Sequence, residues 1–124
     1  MDERKEMLKR RTKAFAGAVV RFYISLDKSR EEIRILGKQL LRSGTSVAAN
    51  YREAARSRSD AEFISKIDQC AQEADESQLW LDLLQEECGI SAASAIPVWK
   101  EADELISIFV TMSKNVKKRL DVDH

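Results

Sequence analysis

Between residues 63 and 88, small and apolar side chains recur at alternating steps of four and three residues without a slip. The members of this stripe are Phe63, Ile67, Cys70, Ala74, Ser77, Leu81, Leu84 and Cys88. An apolar repeat of about 3.5 residues is typical of a long helix that supercoils left-handed against neighbouring helices. With only one Pro and four Gly among 124 residues, the rest of the chain also favours helix over sheet.

Three further stretches are amphipathic at helical spacing, so the sequence predicts four helices. Their approximate bounds are 3–26, 30–57, 60–88 and 94–120. Because the connections between these helices are short, the sequence predicts an all-α fold, an antiparallel up-down-up-down four-helix bundle. The length of the chain predicts a single domain over residues 1–124.

Capping residues indicate where the helices begin. Ser29 and Ser59 are each followed three residues later by a glutamate, a pattern that predicts the starts of the second and third helices. Pro97 suits the first turn of a helix, which makes Ser94 the expected cap of the fourth helix. A separate short helical turn over residues 91–95 is the alternative.

The third helix is also apolar outside its stripe, at Leu79, Trp80 and Leu83. A helix that is apolar on more than one face is buried on more than one side. The fourth helix could cover part of this surface, and contact with another subunit is the other explanation. Together with Tyr51 on the second helix and the second apolar stripe of the first helix, which holds Val20, Tyr23 and Ile24, these residues predict a homo-oligomer interface.

Residues suited to catalysis or metal binding are scarce. His124, the last residue, is the single histidine, and the Glu-x-x-His motif that di-iron bundles use is absent. Cys70 and Cys88 fall on the inward stripe, where small core residues are a simpler interpretation than reactive thiols. The sequence therefore predicts no enzyme, no cofactor, no metal site and no small-molecule substrate.

The sequence also predicts a cytoplasmic protein without a membrane partner. It contains no run of 18 or more apolar residues, and its N-terminal residues lack the apolar core of a secretory signal. Two cysteines 18 residues apart on one helix are separated by about 27 Å, too far for a disulfide, and suit a reducing compartment.

The formal net charge is zero, so an electrostatic partner has to be recognised by a local patch. In an up-down-up-down bundle, residues 1–13, 52–62 and 114–124 meet at one end. These segments hold 13 Lys and Arg against 8 Asp and Glu, a formal charge of +5. The candidate nucleic-acid-binding residues at this basic end are Lys9, Arg10, Arg11, Arg52, Arg56, Arg58, Lys114, Lys117 and Lys118. The simpler alternative is that these are ordinary solvated helix ends.

Several blocks of the sequence, in order and at compatible spacing, resemble one family. They are residues Gln39–Arg42, Ser46–Asn50, Arg52–Ala55 and Ala71–Leu84, within a similarity that covers about residues 12–112. The chain resembles the bacterial four-helix-bundle proteins encoded in intervening sequences of 23S ribosomal RNA genes. This resemblance implies a homo-oligomer, commonly a ring of five, and no known enzyme activity. It also implies an association with ribosomal RNA, which rests only on where such genes lie.

Two hypotheses about function follow from these patterns. In the first, a non-enzymatic homo-oligomeric bundle binds RNA, such as ribosomal RNA, or a ribonucleoprotein through its basic end. In the second, the bundle is a scaffold that binds protein partners and has no nucleic-acid role. The first hypothesis requires the charges of the basic end, whereas the second does not.

Overall fold

The structure, a computed structural model, describes residues 2–122 and forms four α-helices within that range. They are α1 (Glu3–Ser25), α2 (Glu31–Ala55), α3 (Asp60–Glu86) and α4 (Ala92–Val122). Each helix packs along the next one in sequence, and a sparser contact between α1 and α4 closes the bundle. The predicted all-α antiparallel four-helix bundle is confirmed. His124 lies outside the described residues.

The inward stripe of α3 lies in the core as its 3.5-residue repeat predicts. Ile67, Leu81 and Leu84 are fully buried, whereas Phe63 at the start of the helix is half-buried. Ser77, also on the stripe, shares a 2.8 Å hydrogen bond with the hydroxyl of Ser43 on α2. Because a buried hydroxyl without a partner would be costly, this bond lets a polar pair occupy the tightly packed seam between α2 and α3.

The start of α3 confirms one predicted cap. The hydroxyl of Ser59 accepts a hydrogen bond from the Glu62 backbone N–H at 3.1 Å, and the helix begins at Asp60. In a full capping box the Glu62 carboxylate would also accept from the backbone N–H of Ser59. It accepts instead from the N–H of Arg58, one residue earlier, at 3.3 Å.

The predicted cap of α2 is wrong. Ser29 donates its hydroxyl to the carboxylate of Asp27 at 2.6 Å, so this hydroxyl is engaged in the loop before the helix. The N-cap position falls to Arg30, which makes no side-chain capping bond. Held beside Asp27, the Ser29 side chain makes no hydrogen bond to a backbone N–H at the start of α2.

The α4 helix begins at Ala92, two residues before the predicted cap Ser94. Ser91 takes this position instead, and its hydroxyl accepts from the Ala93 N–H at 3.2 Å. The turn over residues 91–95 is therefore the first turn of α4, and Pro97 lies inside the helix. Proline is tolerated there because the carbonyl that loses its helical partner, four residues earlier, belongs to the exposed residue Ala93.

Two glycines let α1 and α2 approach closely. A Cβ atom added at Gly44 would lie 2.7 Å from Val19 Cγ2, and one added at Gly37 would lie 2.9 Å from Leu26 Cδ1. The branched side chains of Val19 in α1 and of Leu26, which directly follows α1, therefore occupy the space that larger residues on α2 would need. The packing of these two helices depends on glycine at both positions.

Gly44→Ala is expected to lower the free energy of unfolding by about 1–3 kcal/mol, because Val19 would have to move. Gly17→Ala is the matched control, since its Cβ would meet only the end of the flexible Arg21 side chain at 3.3 Å. The control is expected to gain roughly 0.5–1 kcal/mol, since alanine stabilises a helix interior relative to glycine. Urea unfolding followed by circular dichroism measures both. A Gly44→Ala variant as stable as the parent protein would contradict the close approach.

Candidate functional site

Three separate segments of the chain form a cleft of about 600 Å³ at one end of the bundle. They are the start of α1, the connection between α2 and α3, and the last turns of α4. This arrangement confirms that the up-down-up-down topology brings the three basic segments together. The cleft is open to solvent, with an apolar floor and a charged rim.

The floor of the cleft is formed by Tyr51, Phe63, Met112 and Val116. Phe63 and Met112 are half-buried and pack against the core, so each presents part of its apolar surface to the cleft. The Tyr51 hydroxyl makes one long hydrogen bond, 3.5 Å, to the backbone carbonyl of Lys5. It therefore has hydrogen-bonding capacity left for a ligand.

Tyr51 is a core residue of the single subunit. It is 1% exposed, and its ring stacks on that of Phe109 with centroids 6.3 Å apart. Burial raises the pKa of Tyr51 to about 12, so the hydroxyl is neutral at physiological pH. The prediction that Tyr51 lies in a subunit interface is wrong, because its apolar surface is already covered by α4.

The rim of the cleft carries four cations, Arg4, Lys5, Arg58 and Arg119. None of them forms an ion pair with another residue in the described range, 2–122. Two carboxylates, Asp2 and Asp60, also line the cleft, which leaves the described rim with a net positive charge. Asp2 is occupied as the N-cap of α1, where it accepts the Arg4 N–H at 2.9 Å.

Of the nine candidate nucleic-acid-binding residues, only Arg58 lines this cleft. Arg56 and Arg58 line a second, shallow groove between α2 and α3, together with Lys66 and two glutamates. Lys66 pairs with Glu53 at 3.3 Å, so that groove has mixed charge. The remaining unpaired candidates lie outside both depressions; they are Lys9, Arg10, Arg52, Lys114 and Lys118.

Two candidates are engaged in ion pairs within the subunit. Lys117 contacts Asp68 of α3 at 3.4 Å on the surface. Arg11 binds Glu101 of α4 through two hydrogen bonds of 2.8 Å each and contacts Glu104 at 3.0 Å. The bidentate pair joins α1 to α4 where these helices make sparse contact, so Arg11 has a structural role.

Arg4, Lys5 and Arg119 belong to the basic segments but not to the nine candidates. The candidates predicted from the sequence include the consecutive cations at residues 9–11 and 117–118 instead. Which cations share one cleft depends on how the helix ends meet. Knowing which cations already have partners requires the distance between residues far apart in sequence.

Glu101→Gln is expected to lower the free energy of unfolding by about 1 kcal/mol at pH 7. The contact with Arg11 lowers the pKa of Glu101 from its ordinary value of 4.5. The stabilisation is therefore complete above that ordinary value and is lost as the pH falls through the lowered pKa of the folded state. Urea unfolding at pH 7 and pH 3 measures this dependence.

Glu104→Gln is the control, since that carboxylate contacts the same guanidinium but is 69% exposed. It is expected to leave stability unchanged at both pH values. A loss for Glu101→Gln that is equally large at pH 3 would contradict an ionic role for the pair.

The predicted oligomer surface on α3 is partly accessible. Leu79 is 48% exposed, and Trp80 and Leu83 are half-buried. Trp80 also packs against the core, so its ring serves the subunit itself. Leu79 is therefore the most exposed of these three residues.

The described part of the chain holds no group of three His, Cys, Asp or Glu side chains placed to bind a metal ion. Cys70 and Cys88 are free and buried, and burial raises the pKa of Cys70 to about 12. Such a thiol is protonated at neutral pH and is a poor nucleophile. Within residues 2–122, no helix has the length and apolarity needed to span a membrane.

Four amphipathic helices in up-down-up-down order, with a basic cleft at one end, place the chain in the class of small antiparallel four-helix bundles. Its residues 5–111 match the family model of the 23S rRNA-intervening sequence proteins. The chain belongs to this family, which confirms the resemblance stated from the sequence.

A solved structure supports the assignment. A Bacteroides thetaiotaomicron protein of unknown function, from the S23 ribosomal protein family, is 31% identical in sequence. The similarity covers 86% of this chain and 97% of that chain, with a TM-score of 0.78. The comparison with curated proteins gives no match.

Proposed function

We propose that this protein is a non-enzymatic, self-assembling bundle that binds RNA, alone or in a ribonucleoprotein, through the phosphates that contact its basic end. The observation that carries the proposal is the set of four rim cations that share one cleft and lack ion-pair partners among the described residues. The family name, which refers to an intervening sequence of 23S rRNA, supports RNA as the polyanion.

The charges favour a local and weakly sequence-dependent mode of binding. Because the whole chain has zero net charge, attraction to RNA comes from the basic end alone. Arginine and lysine bind phosphate groups and position a nucleic acid, while base edges supply sequence information. Arg4, Arg58 and Arg119 provide three guanidinium groups that suit phosphate oxygens.

The binding of a labelled 23S ribosomal RNA fragment, measured by fluorescence anisotropy at about 50 and 200 mM salt, tests the proposal. Four phosphate contacts predict a slope of log affinity against log salt of about −3, hence a loss of roughly 60-fold across that range. The variant Arg4→Glu, Arg58→Glu, Arg119→Glu is expected to lose more than tenfold in affinity at the lower salt.

The matched control is Arg21→Glu, Lys38→Glu, Lys100→Glu, which makes the same change in net charge. These three exposed residues lie in the half of the bundle away from the cleft and form no ion pair within residues 2–122. The control variant is expected to bind nearly as well as the parent protein. Equal losses in both variants would indicate a general charge effect. An absence of binding at the lower salt would favour the protein-binding scaffold.

Self-assembly is the second part of the proposal. Leu79 exposes 48% of its surface beside Trp80 and Leu83, and large apolar side chains grouped in this way are common where subunits meet. The resemblance to the family implies a ring of five. Subunits that point the same way in such a ring would repeat the basic cleft on one face and strengthen binding to a long RNA.

Leu79→Glu is expected to lower the native mass to that of a single subunit while helicity is retained, because the charge would be buried only in the assembly. Size-exclusion chromatography with light scattering measures the mass. Ile35→Glu is the control, since Ile35 is similarly exposed, at 49%, but lies on α2 and outside the predicted interface. An unchanged mass for Leu79→Glu would remove this surface of α3 from the interface.

A further inference from the structure

We infer that the cleft accepts an unpaired nucleotide, so that the protein binds single-stranded RNA in preference to a duplex. This inference rests on the proposed RNA binding and adds a ligand class to it. The basic rim by itself would bind the phosphates of either form of RNA. The apolar floor is the reason to expect tighter binding of single-stranded RNA than of a duplex.

The cleft is open to solvent but has the volume of a small-molecule site. Its volume of about 600 Å³ lies within the roughly 300–1,000 Å³ typical of ligand pockets. Three segments of the chain build it, and the α3 and α4 parts of its floor are held by packing on the core. The floor is therefore formed before a ligand arrives, and binding does not require it to be assembled.

The apolar floor suits the base of a nucleotide, and the basic rim suits its phosphate. Phe63 offers an aromatic ring and Met112 a polarizable thioether, each partly exposed, and these are surfaces on which a base can stack. The hydroxyl of Tyr51, which donates its proton to the Lys5 carbonyl, keeps lone pairs that can accept from a donor on a base edge. Arg58 and Arg119 stand on the rim, where the phosphates that flank an inserted base would lie.

An acidic peptide and an RNA duplex, the alternative ligands, would each contact only part of the cleft. An acidic peptide would satisfy the cations but leave the apolar floor with no partner, unless it also carried an apolar side chain. A duplex would reach the rim but could not fill the floor, because its bases are paired and stacked, and extruding one carries a cost. An unpaired nucleotide uses both parts of the site at once.

Asn115 allows the cleft to be filled without altering charge or core. It is exposed on α4 and lines the cleft, so Asn115→Leu would place a branched aliphatic side chain in the space without adding a ring on which a base could stack. Thr111→Leu is the matched control, because Thr111 is exposed one turn earlier on α4 and does not line the cleft. Circular dichroism of both variants establishes that the bundle is retained.

The probes are a labelled 12-nucleotide RNA without self-complementarity and the duplex that it forms with its complement. Asn115→Leu is expected to weaken binding of the single strand about tenfold, because it occupies the space of the base without offering a ring for stacking, and to leave the duplex unchanged. Thr111→Leu is expected to bind both as the parent protein does. If Asn115→Leu binds the single strand as tightly as the parent protein, the inference is overturned while the proposed function stands. If the parent protein binds neither probe at about 50 mM salt, both fail.

A second measurement uses the parent protein alone and does not depend on a variant that folds. The same 12-nucleotide RNA with one 4-thiouridine in its centre is crosslinked by light, and the attachment site is mapped by mass spectrometry. Crosslinks are expected in the peptides that contain Phe63 or Met112. Crosslinks found only on basic residues outside the cleft would overturn the inference.

Discussion

The rest of the structure depends on the apolar stripe of α3, because α3 lies between α2 and α4 and packs along both. The stripe has a central run of small residues, Cys70, Ala74 and Ser77, with large ones on either side, such as Ile67 and Leu81. Small residues let the neighbouring helices approach, and large ones fill the spaces between them. α1 is attached differently, through close contact with glycines of α2 and through the ion pair of Arg11 with α4. The first helix is therefore the element whose position relies most on a few contacts.

The presence of the four helices was predictable because it follows from apolar periodicity, which is a local property of the sequence. Helix starts were less predictable, because Ser29 is bonded to Asp27 in the loop and Ser91 takes the place predicted for Ser94. Tyr51 shows a different limit. The sequence shows that this aromatic side chain is apolar, but it does not show whether a helix of the same subunit or of another subunit covers it. The contact with Phe109 shows that a helix of the same subunit does.

The candidate site was predictable as a region and not as a set of residues. Topology alone assigns the three basic segments to one end, so the location of the site followed from helix order. Arg11, however, has its partner 90 residues away in the sequence, and no local pattern reveals that contact. Arg4 and Arg119 share the cleft although 115 positions separate them, for the same reason. Pairing and proximity across the bundle are tertiary properties.

Three of the four rim cations lie where helix stability does not call for positive charge. Cations suit the C-terminal end of a helix, where Arg119 lies, because the helix dipole is negative there. Arg4 and Lys5 lie in the first turn of α1, and Arg58 just precedes α3, where the dipole disfavours positive charge. The same two helix starts also carry acidic groups that suit the dipole, Asp2, Glu3 and Glu6 for α1 and Asp60 and Glu62 for α3. Helix stability therefore accounts for the acids and for Arg119, whereas the proposed binding of an anion in the cleft would give Arg4, Lys5 and Arg58 a role as well.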